Sequence, residues 1–498
     1  MKKLLLPLAS LLLFLNVNAQ YTTPNTGVNW NMDSLVMHSN GVVIQPEDNI
    51  YQITADFEIA ESDTLDIFAA ITVNLDANVT VTIRGSFFAD FFTDVIFTAT
   101  NQDEPYRGFR FESTSSAQFQ NTIFSYGGGL KVITSDFIMQ FCTIHHNDLI
   151  LNTGAAIEVS NGKPLIFNSS FIANKGAAIS SAANAEVAPV IFQNIFQGNN
   201  TNNSNRPQIN LGPSGAGDTT LILENTVTGN PNLDQVGGIA FSSLLGGEGH
   251  VIIFKNEVKD NRYGIAVIGN NISAYIGSNT LTDNNTQGEP LLGGSGINLN
   301  STAESFAELT SNTITGNLWG MTIQGEFLVN MGDDNEVDPS PGLNVFDNNG
   351  NSGEIYALYN NTPNPVSALN NCWISSEDIT AEQAEDVIFH QNDDATLGLV
   401  TFDPFWNCGF VDGIEEQDLN DLVSLYPNPA SNRVNLNVSS DISIEKIRVL
   451  NLAGQEISIS INVDSPTLSI DINSVKSGVY IIEIQSDKGI IVKRLIKR

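Results

Sequence analysis

Basic side chains are scarce in this chain. Its 498 residues hold 21 Lys+Arg against 55 Asp+Glu, a formal net charge of −34. The imbalance is local: residues 20–412 carry 10 basic and 44 acidic side chains, whereas from Ser424 onward there are 9 basic and 7 acidic. A body this negative repels nucleic acid and anionic lipid, because gripping either requires phosphates to be neutralised by Lys or Arg. It equally disfavours an anionic polysaccharide unless bound cations bridge the two. Long apolar runs are also missing. The longest, residues 4–15, has 12 residues, too few to span a bilayer. Cysteine appears three times. Charged residues make up only 15% of the chain, while Asn, Ser, Thr and Gly are plentiful, as many short strands joined by many turns require.

The two ends read as addresses. Met1-Lys2-Lys3 precedes the apolar run and Asn16-Val-Asn-Ala19 follows it, the pattern of a secretory signal peptide over 1–19 that leaves Gln20 as the first mature residue. The last 75 residues open with Leu425-Tyr-Pro-Asn-Pro-Ala-Ser431, whose prolines remove backbone donors and break any strand. Alternating apolar positions follow at Val434/Leu436/Val438, Ile457/Ile459/Ile461, Leu468/Ile470/Ile472 and Tyr480/Ile482/Ile484. A period of two broken by turns predicts a small Ig-like antiparallel β-sandwich. The series Tyr-Pro-Asn-Pro-Ala, Asn451-Leu-Ala-Gly-Gln455, Ser477-Gly-Val-Tyr480 and a basic terminus, Lys493 to Arg498, resembles the C-terminal sorting domain of type IX secretion cargo in Bacteroidetes-type bacteria. That resemblance implies export across both membranes by the type IX machinery to the cell surface or medium, without a membrane span, and loss of the tail. Residues 412–423, with five acids over 412–421, read as an acidic linker between the body (20–411) and the sorting domain (424–498).

The body repeats. An apolar residue followed three positions later by Asn recurs at Asn147, Asn174, Asn199, Asn230, Asn261, Asn284, Asn317 and Asn348, at intervals of 23 to 33 residues. Repeats of that length mean a solenoid or a propeller. Propeller blades need a fixed period, whereas a coil of two or three short strands per turn tolerates insertions at a corner. Asn suits a corner because it tolerates left-handed backbone, and when stacked it can hydrogen-bond along the pile. Asn-x-Φ-x-x-Asn-x-x-Gly-Ile repeats, with Val81-Thr-Ile-Arg-Gly85, Val95-Ile-Phe-Thr98 and Arg107-Gly-Phe-Arg-Phe111 before them, resemble the right-handed parallel β-helix of pectate-lyase-like proteins. The resemblance covers roughly residues 40 to 375. It implies an all-β fold, a right-handed parallel β-helix solenoid followed by the sandwich, in a rod on the order of 60 Å long. It carries no activity with it.

Cys372 and Cys408 lie in mirrored contexts, Asn-Cys-Trp and Trp-Asn-Cys. In an exported chain they are expected to form a disulfide closing the end of the coil, with Cys142 a buried filler. The segment Gly398-Leu-Val-Thr-Phe-Asp-Pro-Phe405 resembles the close of many bacterial β-helix domains.

Chemistry is thin. A β-helix lyase needs a Lys or Arg base beside Ca²⁺-holding carboxylates, and no basic pair one coil apart faces an acidic cluster. Arg107 with Arg110, and Lys255, Lys259 and Arg262, read as solvated turn charges. Gly332-Asp333-Asp334 matches the Gly-Asp-Asp element of polygalacturonase-type hydrolases, but the expected Gly-His-Gly does not follow; Gly249-His250 lies upstream. His145 and His146, adjacent in a strand, are expected on opposite faces and so unable to share a metal. The loop holding Asp333, Asp334, Asn335, Glu336 and Asp338 offers the oxygen ligands that suit Ca²⁺, against the plainer reading of a solvated acidic insertion. Thr143, Thr226, Thr280 and Thr313 begin a Thr row that Ser170, Ile195 and Glu257 interrupt, which argues against a flat ice-binding surface. The leading expectation is a non-enzymatic, secreted coil with adhesive, structural or glycan-contacting duty. The alternative is a polysaccharide lyase or glycoside hydrolase with an unrecognised site.

Overall fold

The computed structural model describes residues 20–148, 154–288, 294–335, 339–350, 354–376, 378–408, 422–428, 430–439, 442–451, 457, 460–464, 467–476, 478–486 and 489–497, with the side chains of 90–93 and of scattered tail positions left aside. The expected signal peptide and residues 412–421 of the linker lie outside them. Two short helices, Met32–His38 and Ala381–Glu385, flank a 37-stranded sheet. Its strand pairs are parallel, except that Val43–Glu47 meets Ile50–Ile53 antiparallel at the N-terminal end.

The parallel pairs form three ladders wound into a β-helix. One runs through Ala155–Val159, Ala177–Ser181, Ile209–Leu211, Ile239–Ser243 and Ile265–Gly269. A second runs through Leu165–Phe167, Val190–Phe192, Thr220–Leu223, Gly249–Phe254 and Ile272–Gly277. The third runs through Thr143–His145, Ser170–Ile172, Ile195–Gln197, Thr226–Thr228, Glu257–Lys259, Thr280–Thr282 and Thr313–Thr315. Alternation within each strand sends every second side chain inward. Identical positions then stack: Ile144, Phe171, Phe196, Val227, Val258, Leu281 and Ile314 are all fully buried. The Phe171 and Phe196 rings stack at 4.9 Å.

Two of the three corners are held by buried asparagine ladders. Between the third and first sheets run Asn147, Asn174 and Asn199, then Gln208, Asn261, Asn284, Asn317 and Asn349. Between the second and third run Asn194, Asn225, Asn256, Asn279, Asn312, Asn344 and Asn371. This second ladder is built by the first Asn of the Asn-x-Φ-x-x-Asn motif and was not anticipated. Asn279 shows the chemistry. Its Oδ1 accepts from the backbone N–H and Nδ2 of Asn256 at 2.9 and 3.0 Å, and its own Nδ2 donates to Asn312 Oδ1 and Ile253 O. Every buried polar atom of the side chain is thereby paired.

Three details differ from expectation. The left-handed residue at each corner is the one before the ladder Asn: His146, Ala173, Asp260, Asp283 and Asn348 at one corner, and Gln193, Glu224, Lys255, Ser278, Ser311, Leu343 and Asn370 at the other, all have φ between 49° and 60°. Asn348 is thus a turn residue and Asn349 the rung, because Phe346 points inward and not Val345. Asn230 leaves the ladder: Gln208 takes that rung, accepting from Asn199 and donating to Asn261 Oδ1 at 3.0 Å, while Asn230 closes an exposed turn onto Asn232.

The ends are sealed differently. At the N-terminus the buried Asp63 carboxylate accepts the backbone N–H groups of Asn25, Thr26, Gly27 and Val28 at 2.9 to 3.0 Å. Burial works to raise its pKa, but these bonds and one from Thr23 outweigh it and hold the carboxyl down at about 2. At the C-terminus Cys372 is bonded to Cys408 with Cα atoms 5.9 Å apart. Trp373 stacks on Phe346 at 5.2 Å. The buried His390 bridges Glu385 at 2.9 Å and the backbone N–H of Val400 at 2.9 Å. Beyond it, a four-stranded and a three-stranded antiparallel sheet form the sandwich, with Val434, Leu436, Ile470, Ile482 and Ile484 in its core. Leu422 and Val423 belong to that core too, so the sandwich takes in the last residues of the expected linker.

Four outcomes follow from this architecture. Asn279→Ala strands the N–H and amide of Asn256 in the interior, and should lower unfolding free energy by about 3 kcal/mol, measured by denaturant titration. Asn230→Ala should change it by less than about 0.5 kcal/mol. Because the folded pKa of Asp63 lies below its ordinary 3.8, its contribution is complete above that value and is lost as pH falls toward 2. The protection of the Asn25 to Val28 amides, relative to their intrinsic exchange at each pH, should therefore fall across that window in the native protein, and should be low and independent of pH in Asp63→Asn. Cys372→Ala should lower the melting temperature, consistent with about 3 to 4 kcal/mol for releasing a loop of this length.

Candidate functional site

The third corner, between the first and second sheets, has no asparagine ladder among the described residues, and loops of unequal length leave the coil there. Four of them stack by backbone bonds: Gly215 N–H donates to Glu248 O at 2.9 Å, Gly249 N–H to Asn271 O at 3.0 Å and Asn271 N–H to Glu304 O at 3.2 Å. Gly246 turns with φ 91°, a conformation L side chains resist. A Cβ on Gly247 would lie 2.7 Å from Pro213, so this loop can pack only with glycine there.

The stacked loops frame an open groove of about 720 Å³. Glu186 and Glu248 reach it from loops and Glu304 from the irregular stretch within the strand Ser295–Thr310, and Asn271 and Ser273 add polar groups. His250, Ser273 and Phe306 are in register on successive strands and form its floor. His250 is held in two places: its backbone N–H donates to Ser214 Oγ at 2.8 Å, and its ring Nε2 lies 3.1 Å from Glu248 Oε1. Phe306 is 41% exposed, an aromatic face turned outward beside three carboxylates. No Lys or Arg lines the groove among the described residues.

Sequence reasoning singled out none of these except His250, and that only as part of a misplaced Gly-His element. The available signal was Glu186, Glu248 and Glu304, each just ahead of a second-sheet pairing segment about two turns from the next.

A smaller cleft of about 380 Å³ lies by the N-terminal helix, lined by Trp30, Asp33, Tyr51, Asp66 and the exposed Phe68. Tyr51 donates to Asp33 at 2.5 Å. Burial first, and then that bond and the carboxylate charge, push its hydroxyl up to about 12. Burial also raises the Asp66 carboxyl.

The anticipated sites look different in place. Asp333 Oδ1 accepts the N–H groups of Asn335 and Ser340 at 3.1 Å, and Oδ2 accepts from Asn330 Nδ2. Burial opposes its ionisation, yet these bonds carry its pKa below the ordinary value. Both oxygens thus serve to close the turn that contains Asp334 and Asn335, while Glu336 and Asp338 lie outside the described residues. Among the described residues no three His, Cys, Asp or Glu side chains gather as a metal site. His145 and His146 are not on opposite faces: the strand ends at His145, His146 has φ 54°, and the two Nδ1 atoms lie 2.9 Å apart with Tyr126 stacked on His146. Burial, and next the neighbouring imidazole, lower the pKa of His145. Lys259 pairs with Glu257 at 2.8 Å, Arg110 with Glu112 at 2.5 Å, and Lys255 lies over the Phe254 ring.

Residues 424–498 match the family of secretion system C-terminal sorting domains. The chain is therefore type IX cargo, exported to the cell surface or the medium. Three solved structures are similar to it: the periplasmic alginate epimerase AlgG and two mutant forms of that protein, at 10 to 11% identity and a TM-score of 0.46, covering 76% of this chain and 83% of theirs. No curated protein matches the sequence. No helix among the described residues is long and apolar enough to cross a membrane.

Proposed function

We propose that the exported coil is a glycan-contacting protein that seats a neutral saccharide in the corner groove. The observation that carries this reading is the exposed Phe306 ring set among Glu186, Glu248, Glu304, Asn271 and His250. A pyranose offers an apolar CH face for an aromatic ring and a rim of hydroxyls for carboxylate and amide acceptors. Three carboxylates without a lining Lys or Arg repel uronates and sulfated sugars, so the ligand is an uncharged or amine-bearing glycan. Adhesion to, or organisation of, surface polysaccharide follows for a protein delivered outside the cell.

A second reading, hydrolysis, is favoured by one feature: several carboxyl groups and an imidazole share one groove, the equipment of general acid and base. Elimination has less support, since no Lys or Arg lines the groove among the described residues and its three glutamates repel the uronate carboxylate that the reaction needs.

Glycan-array binding by the full chain should show neutral or amino sugars bound and pectate, alginate and glycosaminoglycans ignored. Phe306→Ala should weaken binding about tenfold, the loss of roughly 1.4 kcal/mol of stacking. Release of short saccharides from the bound polymer, abolished by Glu248→Gln or Glu304→Gln, would move the assignment to hydrolase. An ultraviolet-absorbing unsaturated product from any uronate polymer with Ca²⁺ present would overturn both readings.

A further inference from the structure

Outward positions on the second sheet break the rule that governs the rest of the coil. On the third sheet the outward row reads Thr143, Ser170, Ile195, Thr226, Glu257, Thr280 and Thr313; its one apolar member, Ile195, is 50% exposed. On the second sheet one outward row reads Leu165, Val190, Leu221, Ile252 and Tyr275, and the next reads Phe167, Phe192, Leu223 and Phe254. These two rows make a continuous apolar stripe on the outside of the rod, of a size that soluble proteins cover or use. Val190, Leu221, Leu223 and Phe254 are nevertheless only 2 to 3% exposed, and Phe192 7%. Something lies over them.

The cover comes from the sandwich. In its three-stranded sheet Val449 and Ile482 face that domain's own core, which turns the paired Leu450 and Ile481 to the opposite side. Both are nearly buried, at 9 and 7%, in one cluster with Val190, Phe192, Leu221, Leu223 and Phe254, against which Leu165, Phe167, Ile252 and Tyr275 also pack. Beside them Arg448 donates to Glu483 at 2.9 Å. This ion pair reaches the Tyr275 hydroxyl electrostatically, and Tyr275 in turn bonds Thr310 at 3.1 Å.

We infer that the apolar stripe of the second sheet is a docking surface whose occupant is the outer face of the sorting domain, with Leu450 and Ile481 as its anchors. The sorting domain is thus latched to the flank of the rod in one pose and does not hang free from the linker. The fit is chemical as well as spatial. Two aliphatic anchors meet an aliphatic and aromatic stripe, while the Arg448–Glu483 pair takes the polar margin where the row passes from Tyr275 to Glu308. The row that bears Tyr275 lies two residues along the strands, roughly 7 Å, from the groove row of His250, Ser273 and Phe306. The docked domain therefore stands beside the groove. The latch holds whether or not the groove binds a glycan.

Small-angle scattering and binding of an apolar fluorescent dye to the full chain test this. Leu450→Asp with Ile481→Asp places charge on the latch face only and leaves the sandwich core intact. It should enlarge the radius of gyration, shift the maximum dimension upward and raise dye fluorescence at least about twofold as the stripe is bared. Leu221→Asp with Leu223→Asp, on the coil side, should enlarge the molecule in the same way with a smaller gain in dye, because it frees the domain but makes the stripe polar. A wild-type chain already scattering as two freely jointed bodies would overturn the inference. So would a scattering profile that neither pair of substitutions alters.

Discussion

The whole rod depends on the amide–amide hydrogen bond repeated along two corners. A backbone that bends sharply twice per turn cannot satisfy its own N–H groups within the sheet ladders, and at these corners those groups are buried. The ladder amide solves both problems at once. Its oxygen takes the backbone N–H of one turn, and its nitrogen binds the carbonyl of an inward-facing strand residue and the next amide along the stack. The preceding residue enters left-handed backbone, at a cost of about 1 to 2 kcal/mol for a side chain such as Leu343. Burial of a fully paired amide on each turn offsets that strain. Because every rung must contact the next, the ladders also fix the register of the three sheets, and so the stacking of Phe on Phe and Ile on Ile within.

How much of this the sequence disclosed follows from how far each feature is local. Six of the eight anticipated rungs are in place because Φ-x-x-Asn is a statement about one corner. Asn348 was a single-residue register error: Val345 and Phe346 are both apolar, and only the neighbouring strands decide which faces inward. Asn230 was beyond local reading, since the residue that displaces it, Gln208, sits 22 positions earlier in an insertion. The sandwich was legible from its alternation and its motifs. The groove was not, because its parts come from separate turns of the coil at the one corner where the described residues form no repeating ladder. Length variation at that corner erases the period on which the rest of the reading relied. The His145–His146 contact was hidden for a related reason: the strand rule of opposite faces ends where the strand does.

The three faces of the coil divide the labour. The third sheet presents Thr, Ser and paired charges outward, the second presents an apolar stripe, and the ladderless corner gathers glutamates. Since two corners are committed to amide stacks, variation is confined to the third, where an extra residue costs only loop entropy. A binding site on such a scaffold is therefore expected where the loops accumulate, and the groove is there.

Charge then narrows what the groove can do. The coil's few cations are largely spent locally: Lys259 on Glu257, Lys131 on Glu158, Arg84 on Glu58, Arg110 on Glu112. None of these pairs lies in the groove. An acid-lined groove on an acidic rod repels polyanions through the protein's whole field as well as through its own carboxylates. The proposed ligand is matched to that field: hydroxyls and CH faces are the neutral part of sugar chemistry, and Phe306 with its surrounding acceptors suits both. Under the proposed role, the exported rod would meet such polymers outside the cell, with Phe306 as the ring against which a sugar face packs.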